Sequence, residues 1–274
     1  MIEILSFRPP CGLPVEPNSP RELAGATAIV TGSSSGIGRA IALELARAGA
    51  AVVVHARKSR DAAEAVADEI RAAGAQVLVM LADLADPSQC ETLVERAWGW
   101  RSGVEIWVNN AGADVLTGEA ARWPFQRKLA ALWQVDVLAT VCLGRLAGWR
   151  MKAAGQGVIL NIGWDGAARG MAGDSGEMFA AAKGAVMAFT RSLARSLAPE
   201  VRVNCLAPGW IKTAWGERAS PAWQDRARRE SLRSRWGTPE DVARAARFLA
   251  SPAADFVTGQ ILEINGGFNH SMES

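Results

Sequence analysis

Tyrosine is missing from this chain: among 274 residues there are seven phenylalanines and eleven tryptophans but no phenol. No acid or base in this protein can therefore be a tyrosine hydroxyl. Histidine is nearly missing, with His55 and His270 alone, so a histidine-built metal centre is not expected. Cys11, Cys90, Cys142 and Cys205 show no metal-type spacing. Reduced thiols in a cytoplasmic setting suit them better than a disulfide framework or a zinc site. There is no run of 18 apolar residues, which predicts no membrane span. A net charge of +2 is too mild to imply a nucleic-acid partner.

What the chain does have is apolar mass in a regular order. Hydrophobic residues make up 49% of it, enough for one sizeable α/β core. Residues 1–20 carry Pro9, Pro10, Pro14, Pro17 and Pro20 and no apolar signal-peptide core. They are expected to form a loose extension before a single domain over 21–274. The domain opens on a continuous apolar run at 26–30, the pattern of a strand buried on both faces. TGSSSGIG comes next at 31–38, after which Ile37, Ile41, Leu43, Leu45 and Ala48 carry a helix that stops at Gly49. Gly32, Gly36 and Gly38 permit a tight turn whose backbone N–H groups approach an anion at the helix N-terminus, a cradle for a dinucleotide phosphate.

The alternation continues to the end of the chain. Strands are expected at 51–54, 77–81, 104–108, 157–162, 201–206 and 260–264. Helices are expected at 60–73, from 87 through 97, and at 125–153, 176–197 and 239–249. Asp86-Pro87 reads as an N-cap followed by proline at the first helical position. Strands separated by helices predict right-handed crossovers and a Rossmann-type, doubly wound parallel sheet, with its ligand site at the carboxyl ends of the strands.

Six segments then stand in a telling order: TGSSSGIGRAIA at 31–42, LADLAD at 81–86, VNNAG at 108–112, AAAKGAV at 180–186, RVNCLAPGWIKT at 202–213 and GQILEINGG at 259–267. Together they resemble the short-chain dehydrogenase/reductase family, of the 3-oxoacyl-(acyl carrier protein) reductase type, over about residues 21–268. The resemblance implies a nicotinamide cofactor. Gly32, Ser34, Gly36, Ile37 and Gly38 would line its pyrophosphate and ribose, Asp83 and Leu84 its adenine, and Asn110, Ala111 and Gly112 the adjoining ribose. Lys183 would hold the nicotinamide ribose, with Pro208, Gly209, Ile211 and Thr213 around the carboxamide. NAD enzymes of this family usually carry an acid after the second strand, and this chain reads His55-Ala56-Arg57-Lys58 there. A 2′-phosphate wants a guanidinium fork or an ammonium, so Arg57, supported by Lys58 or Arg39, predicts NADP(H).

The catalytic positions depart from the family. Its pattern is an Asn on the long helix, a Ser after strand five, and a Tyr four residues before a Lys. Lys183 matches the Lys; Phe179, Trp164 and Asp136 stand at the other three positions. Two function classes result. One is an NADP(H) oxidoreductase with a rebuilt site acting on a small, aromatic or apolar molecule, in which Asp165, Asp174 or Glu177 substitutes as the acid or the substrate, such as an activated alkene or iminium, needs no phenol. The other binds cofactor without turnover, as a sensor or partner subunit, and a pairing of Asp136 with Lys183 is what it expects.

The tryptophans divide by position. Trp164, Trp210 and Trp215 fall on loops at the carboxyl ends of strands, suited to wall a pocket. Trp98, Trp133 and Trp149 fit helix faces in the core or between subunits. Arg226, Arg228, Arg229, Arg233 and Arg235 read as a solvated face rather than a site for an anionic carrier. Leu132, Val135, Leu143, Leu146, Val186 and Phe189 are apolar on more than one face of the two long helices. In the family these helices pair across a two-fold axis, which predicts a homo-oligomer, tetramer or dimer.

Overall fold

Thr27–Val30 forms the central strand, β1, buried along its whole length. The structure, a computed structural model, describes residues 21–101 and 103–269; the extension over 1–20, with Cys11, and His270 lie outside them. From β1 the chain winds first to one side, through α1 (Gly36–Arg47), β2 (Ala51–Ala56), α2 (Arg60–Ala72) and β3 (Val77–Leu81). α3 (Pro87–Trp100) then carries it back across to β4 (Ile106–Asn109), which pairs with the free side of β1. Growth continues through α4 (Phe125–Leu132), α5 (Ala139–Ala153), β5 (Gly157–Ile162), α6 (Gly166–Arg169), α7 (Asp174–Leu197) and β6 (Val201–Pro208). The chain ends through α8 (Ala214–Arg218), α9 (Pro221–Glu230), α10 (Pro239–Ala250) and β7 (Ile261–Ile264). The sheet order is β3-β2-β1-β4-β5-β6-β7, and every pair is parallel. The winding reverses between β1 and β4, which opens a crevice at their carboxyl ends, the place where such sheets take ligands.

Strand periodicity explains the two cores. Ala28 and Val30 face α1 and α10, while Ile29 between them faces α3, α5 and α7. Helices cover both faces, so most positions of the inner strands are apolar, which is why the strands read as runs rather than as alternation. The Asp86 side chain accepts from Ser88 N with Pro87 next to it, the expected cap. Strand and helix ends differ from expectation by about two residues, where the ladder and not the apolar run sets them: β4 starts at Ile106 and α7 at Asp174.

The helical stretch over 125–153 differs more. Between α4 and α5, Trp133–Leu138 forms a π-helical turn, which carries one extra residue per turn and so rotates α5 relative to α4. The stretch also holds an 18-residue window of mean hydropathy 1.4, long and apolar enough by composition to cross a bilayer, although it is not a continuous apolar run. Here Leu143, Ala147 and Met151 are buried against Ile159, Leu193 and Leu197 of β5 and α7. That packing takes up part of the window, 39% of which is buried.

Candidate active site

The turn after β1 is held open from beneath. Thr31 Oγ1 accepts from the N–H groups of Asn110 and Ala111 at 2.9 and 3.0 Å, and Asn110 Nδ2 donates to the carbonyls of Thr31 and Gly32. This ties the glycine turn to the loop after β4. Gly32 has φ +63°, and a Cβ there would stand 2.8 Å from Ala111 Cα; a Cβ on Gly38 would collide with Asn110 Nδ2 and the Gly32 carbonyl. α1 starts at Gly36 with no acidic residue in its first turn and no side chain capping it. Its first N–H groups are therefore left for an anion, and Ser34, Gly36 and Ile37 are only half-buried around them. The segment after β6 arrives from the other side, bringing the Thr213 methyl to 3.9 Å from where a Gly36 Cβ would be. Residues 32–38, 110–112 and 211–213 thus converge on one crevice, and they fit the pyrophosphate of a dinucleotide.

The remaining cofactor candidates sit around it. Asp83 follows β3, and its backbone N–H donates to Gln89 Oε1 at 2.7 Å. Leu84 is 5% exposed, a core side chain, so only its backbone is offered to a ligand. Pro208 accepts from Asp165 N, and Gly209 donates to the Ile264 carbonyl, which fixes both at the ends of β6 and β7. Arg57 and Lys58 are exposed beyond β2, and among the described residues neither pairs with a carboxylate. Arg39 does, with both oxygens of Glu69 at 2.8 and 2.6 Å, so it is not the free support expected for a 2′-phosphate.

His55 was not singled out by sequence reasoning beyond its place in the run, yet it shapes the cradle. Its Nδ1 accepts from Gly32 N at 3.0 Å and its Nε2 faces the Ala82 carbonyl at 3.1 Å. That pair of bonds requires the neutral ring with its proton on Nε2. Burial pushes its pKa down to about 4.

The catalytic candidates gather at the ends of β4 and β5. The π-turn aims Asp136 inward, where it is 2% exposed. Its Oδ2 accepts from Ala113 N at 2.8 Å and its Oδ1 pairs with Lys183 Nζ at 2.9 Å. Lys183 also donates to the Ile162 carbonyl at 3.1 Å. Phe179, one turn earlier on α7, is half-buried against a cluster that includes Val115, Leu132 and Met178. Trp164 is half-buried too, its indole folded over the start of α6 so that a Cβ on Gly166 would lie 2.6 Å from its Cε2.

Beneath them runs a polar chain of which only Asn109 belongs to a motif, VNNAG. Trp107 Nε1 donates to Asn109, Asn109 to Asn161, Asn161 to Thr190, and Thr190 to the Val186 carbonyl, at 2.7 to 2.9 Å. It crosses β4, β5 and α7 with each link satisfied, and so fixes the helix that carries Lys183.

Family members are found by whole-chain likeness, and here it is unambiguous. The family described as Enoyl-(Acyl carrier protein) reductase matches residues 32–269. This chain is a short-chain dehydrogenase/reductase. It is 36% identical over 252 residues to the 3-oxoacyl-[acyl-carrier-protein] reductase of Synechocystis sp., covering 89% of this chain and 97% of that protein. A 7 alpha-hydroxysteroid dehydrogenase structure complexed with NADH and 7-oxo glycochenodeoxycholic acid matches with TM-score 0.83 and 34% identity, over 92% and 97% of the two chains. A short chain dehydrogenase from Burkholderia cenocepacia J2315 in complex with NADP matches with TM-score 0.80 and 33% identity, over 90% and 98%.

The substitute-acid and pocket-wall candidates of this dehydrogenase/reductase site lie in three different surroundings. Asp165 is no free acid: it is ion-paired with Arg169, accepts from Asn265 Nδ2 at 3.1 Å, and lies toward β7. Burial pushes its pKa up against those partners. Asp174 and Glu177 are exposed on the first turn of α7. Trp210, one of the three pocket-wall candidates, belongs to a tryptophan cluster. It packs on Trp223 and Trp236 at centroid distances of 5.2 and 6.1 Å and donates to Glu230 Oε2 at 2.6 Å. The Trp215 side chain lies outside the described part of the structure. Arg226 and Arg229 pair with Glu230 and Asp225 on α9, and Arg235 with Asp241, the solvated face that was expected.

Of the helix tryptophans, Trp98 stacks on Trp107 at 6.0 Å within the fold, while Trp133 and Trp149 are 42% and 47% exposed. A cavity of about 410 Å³ lies at the opposite, amino end of the strands, lined by Leu23, Ile106 and Val158. It is remote from Lys183, and the switch-point rule assigns ligands to the other end.

Proposed function

We propose that the protein is an NADP(H)-dependent oxidoreductase of a small apolar carbonyl compound, with Phe179, Trp164 and Asp136 at the positions that the family resemblance assigns to Tyr, Ser and Asn. The observation that carries this reading is Lys183, held at the carboxyl ends of β4 and β5 beside an open phosphate cradle. When bound, the cofactor supplies or accepts the hydride. The chain's part is to seat the pyrophosphate on residues 36–38, to hold the nicotinamide ribose with Lys183, and to exclude water with Trp164 and Phe179.

Pairing of Asp136 with Lys183 was the mark of a binding protein without turnover. It engages one of three ammonium N–H groups, however, and leaves Lys183 in place. The names of the relatives, reductases and dehydrogenases, favour the enzyme as well.

Arg57 and Lys58 support the phosphorylated cofactor. A charge-assisted hydrogen bond of about 1.5–3 kcal/mol corresponds to a roughly 10–100-fold preference for NADPH over NADH. Calorimetric titration of both cofactors measures it, and Arg57→Ala is expected to remove most of it. Equal affinities in the wild-type protein would sink the assignment.

We also propose a homotetramer. Leu132, Leu143 and Val186, expected between subunits, are core residues at 0–1% exposure. Trp133, Leu138 and Trp149 are the outward apolar residues of the same stretch. Light scattering at micromolar concentration should give about four times the 29.1 kDa chain mass; a monomer refutes it.

A further inference from the structure

We propose that the His55 imidazole is a positioning residue for the adenosine half of the cofactor. It acts as a strut that sets the gap between the glycine turn and the loop after β3. This role rests on the cofactor site proposed above and goes beyond it by naming what fixes one half of that site.

The sheet itself stops short of both loops. The β1–β2 ladder ends at Val30 with Val54, and the β2–β3 ladder at Ala56 with Leu81. Gly32 lies two residues past the end of β1, and Ala82 directly follows β3. His55 stands on β2 between them and bonds to both through its side chain. Nδ1 accepts from Gly32 N at 3.0 Å, and Nε2 donates to the Ala82 carbonyl at 3.1 Å. An amide N–H can only donate and a carbonyl can only accept, so these partners fix the ring's single proton on Nε2.

The strut is itself anchored. His55 N donates to Ser33 Oγ at 3.0 Å, Ser33 N to the His55 carbonyl at 2.9 Å, and Ser33 Oγ to the Val30 carbonyl at 2.7 Å. Asp83 faces the ring and favours its charged form, but burial outweighs it and pushes the pKa down to about 4. At neutral pH the ring therefore keeps its acceptor. At 1% exposure it works through the two backbone groups it holds rather than by touching a ligand.

Those two groups border the adenosine half of the crevice. Gly32 opens the phosphate turn, and Ala82 precedes Asp83 and Leu84, the adenine positions. Lys183, the nicotinamide side, lies over β4 and β5 instead. A gap fixed before the nucleotide arrives spares binding the cost of ordering two loops.

The test titrates the full chain calorimetrically at pH 7 with NADPH, 2′-phospho-ADP-ribose and ADP-ribose. His55→Phe keeps a ring of similar size and removes both bonds. It should weaken all three ligands by the same factor, roughly tenfold, the equivalent of one ordinary hydrogen bond. His55→Gln offers an amide oxygen to Gly32 N and an amide N–H to the Ala82 carbonyl, and should regain most of the loss. A role in stability alone would lower the urea midpoint of His55→Phe and leave its three dissociation constants at the wild-type values. That result, or a loss confined to NADPH, overturns the assignment.

If His55→Phe does not fold, nitrogen NMR of the wild-type imidazole decides. The proton should sit on Nε2, and both ring-nitrogen resonances should move as 2′-phospho-ADP-ribose saturates the site. A proton on Nδ1, or resonances that ignore the bound fragment, overturns this assignment alone. A wild-type protein that binds none of the three ligands overturns the cofactor reading and this assignment with it.

Discussion

The triple change Phe179→Tyr, Trp164→Ser, Asp136→Asn is expected to raise reduction of acetophenone by about 10²–10⁴-fold over the wild type, the range a positioned general acid contributes. A phenol at 179 would lie one helical turn from the Lys183 ammonium, whose charge favours the phenolate and so makes the proton easier to give. A hydroxyl at 164 would add a hydrogen-bond donor to the same oxygen, worth about 10²–10³ by itself. Replacing the Asp136 carboxylate by an amide ends its competition for the ammonium.

The singles should fall well short of the triple. With Phe179→Tyr alone, the Trp164 indole still crowds the loop over Gly166; with Trp164→Ser alone, no phenol is present. Acid and donor act on one oxygen, so the gains are not additive. Oxidation of NADPH followed for wild type, singles and triple is the measurement. A folded, cofactor-binding triple no faster than wild type would show that these positions do not face the substrate.

Stability should fall by about 3 kcal/mol between pH 6.5 and about 4 because of His55 alone. The ring titrates near 6.5 in the unfolded chain and is pushed down to about 4 by burial in the fold. Between those values the unfolded state holds more protons, so unfolding free energy rises with pH. The contribution is fully present above pH 6.5 and is lost as pH falls toward 4. A tenfold change in proton affinity between the two states is worth about 1.4 kcal/mol.

Protonation at Nδ1 also takes away the acceptor of the Gly32 N–H, so the phosphate turn should loosen with it. Urea unfolding at pH 7, 5.5 and 4.5 measures the loss. His55→Gln, which titrates nowhere in this window, should flatten the curve. A wild-type curve already flat there would mean that the ring is not buried as a neutral acceptor.

The sheet was legible because its strands are buried on both faces: runs such as Ile29–Val30 and 51–54 have no polar reading to compete with. The cradle was legible because glycine is the residue that admits its turn, and the loop after β4 through the VNNAG segment, whose Asn110 and Ala111 close on Thr31. The π-turn was not, since Trp133 to Leu138 carries an ordinary helical pattern, and one extra residue per turn leaves no trace in composition. Yet that turn is what brings Asp136 to Lys183.

His55 was likewise hidden. A histidine after a strand reads as a loop residue until the Gly32 N–H and the Ala82 carbonyl are seen on either side of it. Asp165 misled in the other direction. A carboxylate next to Trp164 in sequence is next to Arg169 and Asn265 in space, because the chain turns toward β7 at that residue.

The tryptophan cluster built by Trp210, Trp223 and Trp236, with Arg226 5.0 Å from the Trp223 ring centroid, has an optical consequence. Lacking tyrosine, the protein emits ultraviolet fluorescence from indoles alone, so excitation at either end of the aromatic band should yield the same spectrum. The cluster joins the loop after β6 to α9, and a guanidinium and the Glu230 carboxylate sit against its rings, charges that tune an indole's emission colour. Any displacement of α9 would separate those charges from the Trp210 ring and shift the colour without an added dye. Reduced nicotinamide absorbs where indoles emit, so its arrival in the crevice should quench the nearest of them. Arrival of cofactor and movement of α9 would then be read in one cuvette as two separate signals, a loss of intensity and a change of hue.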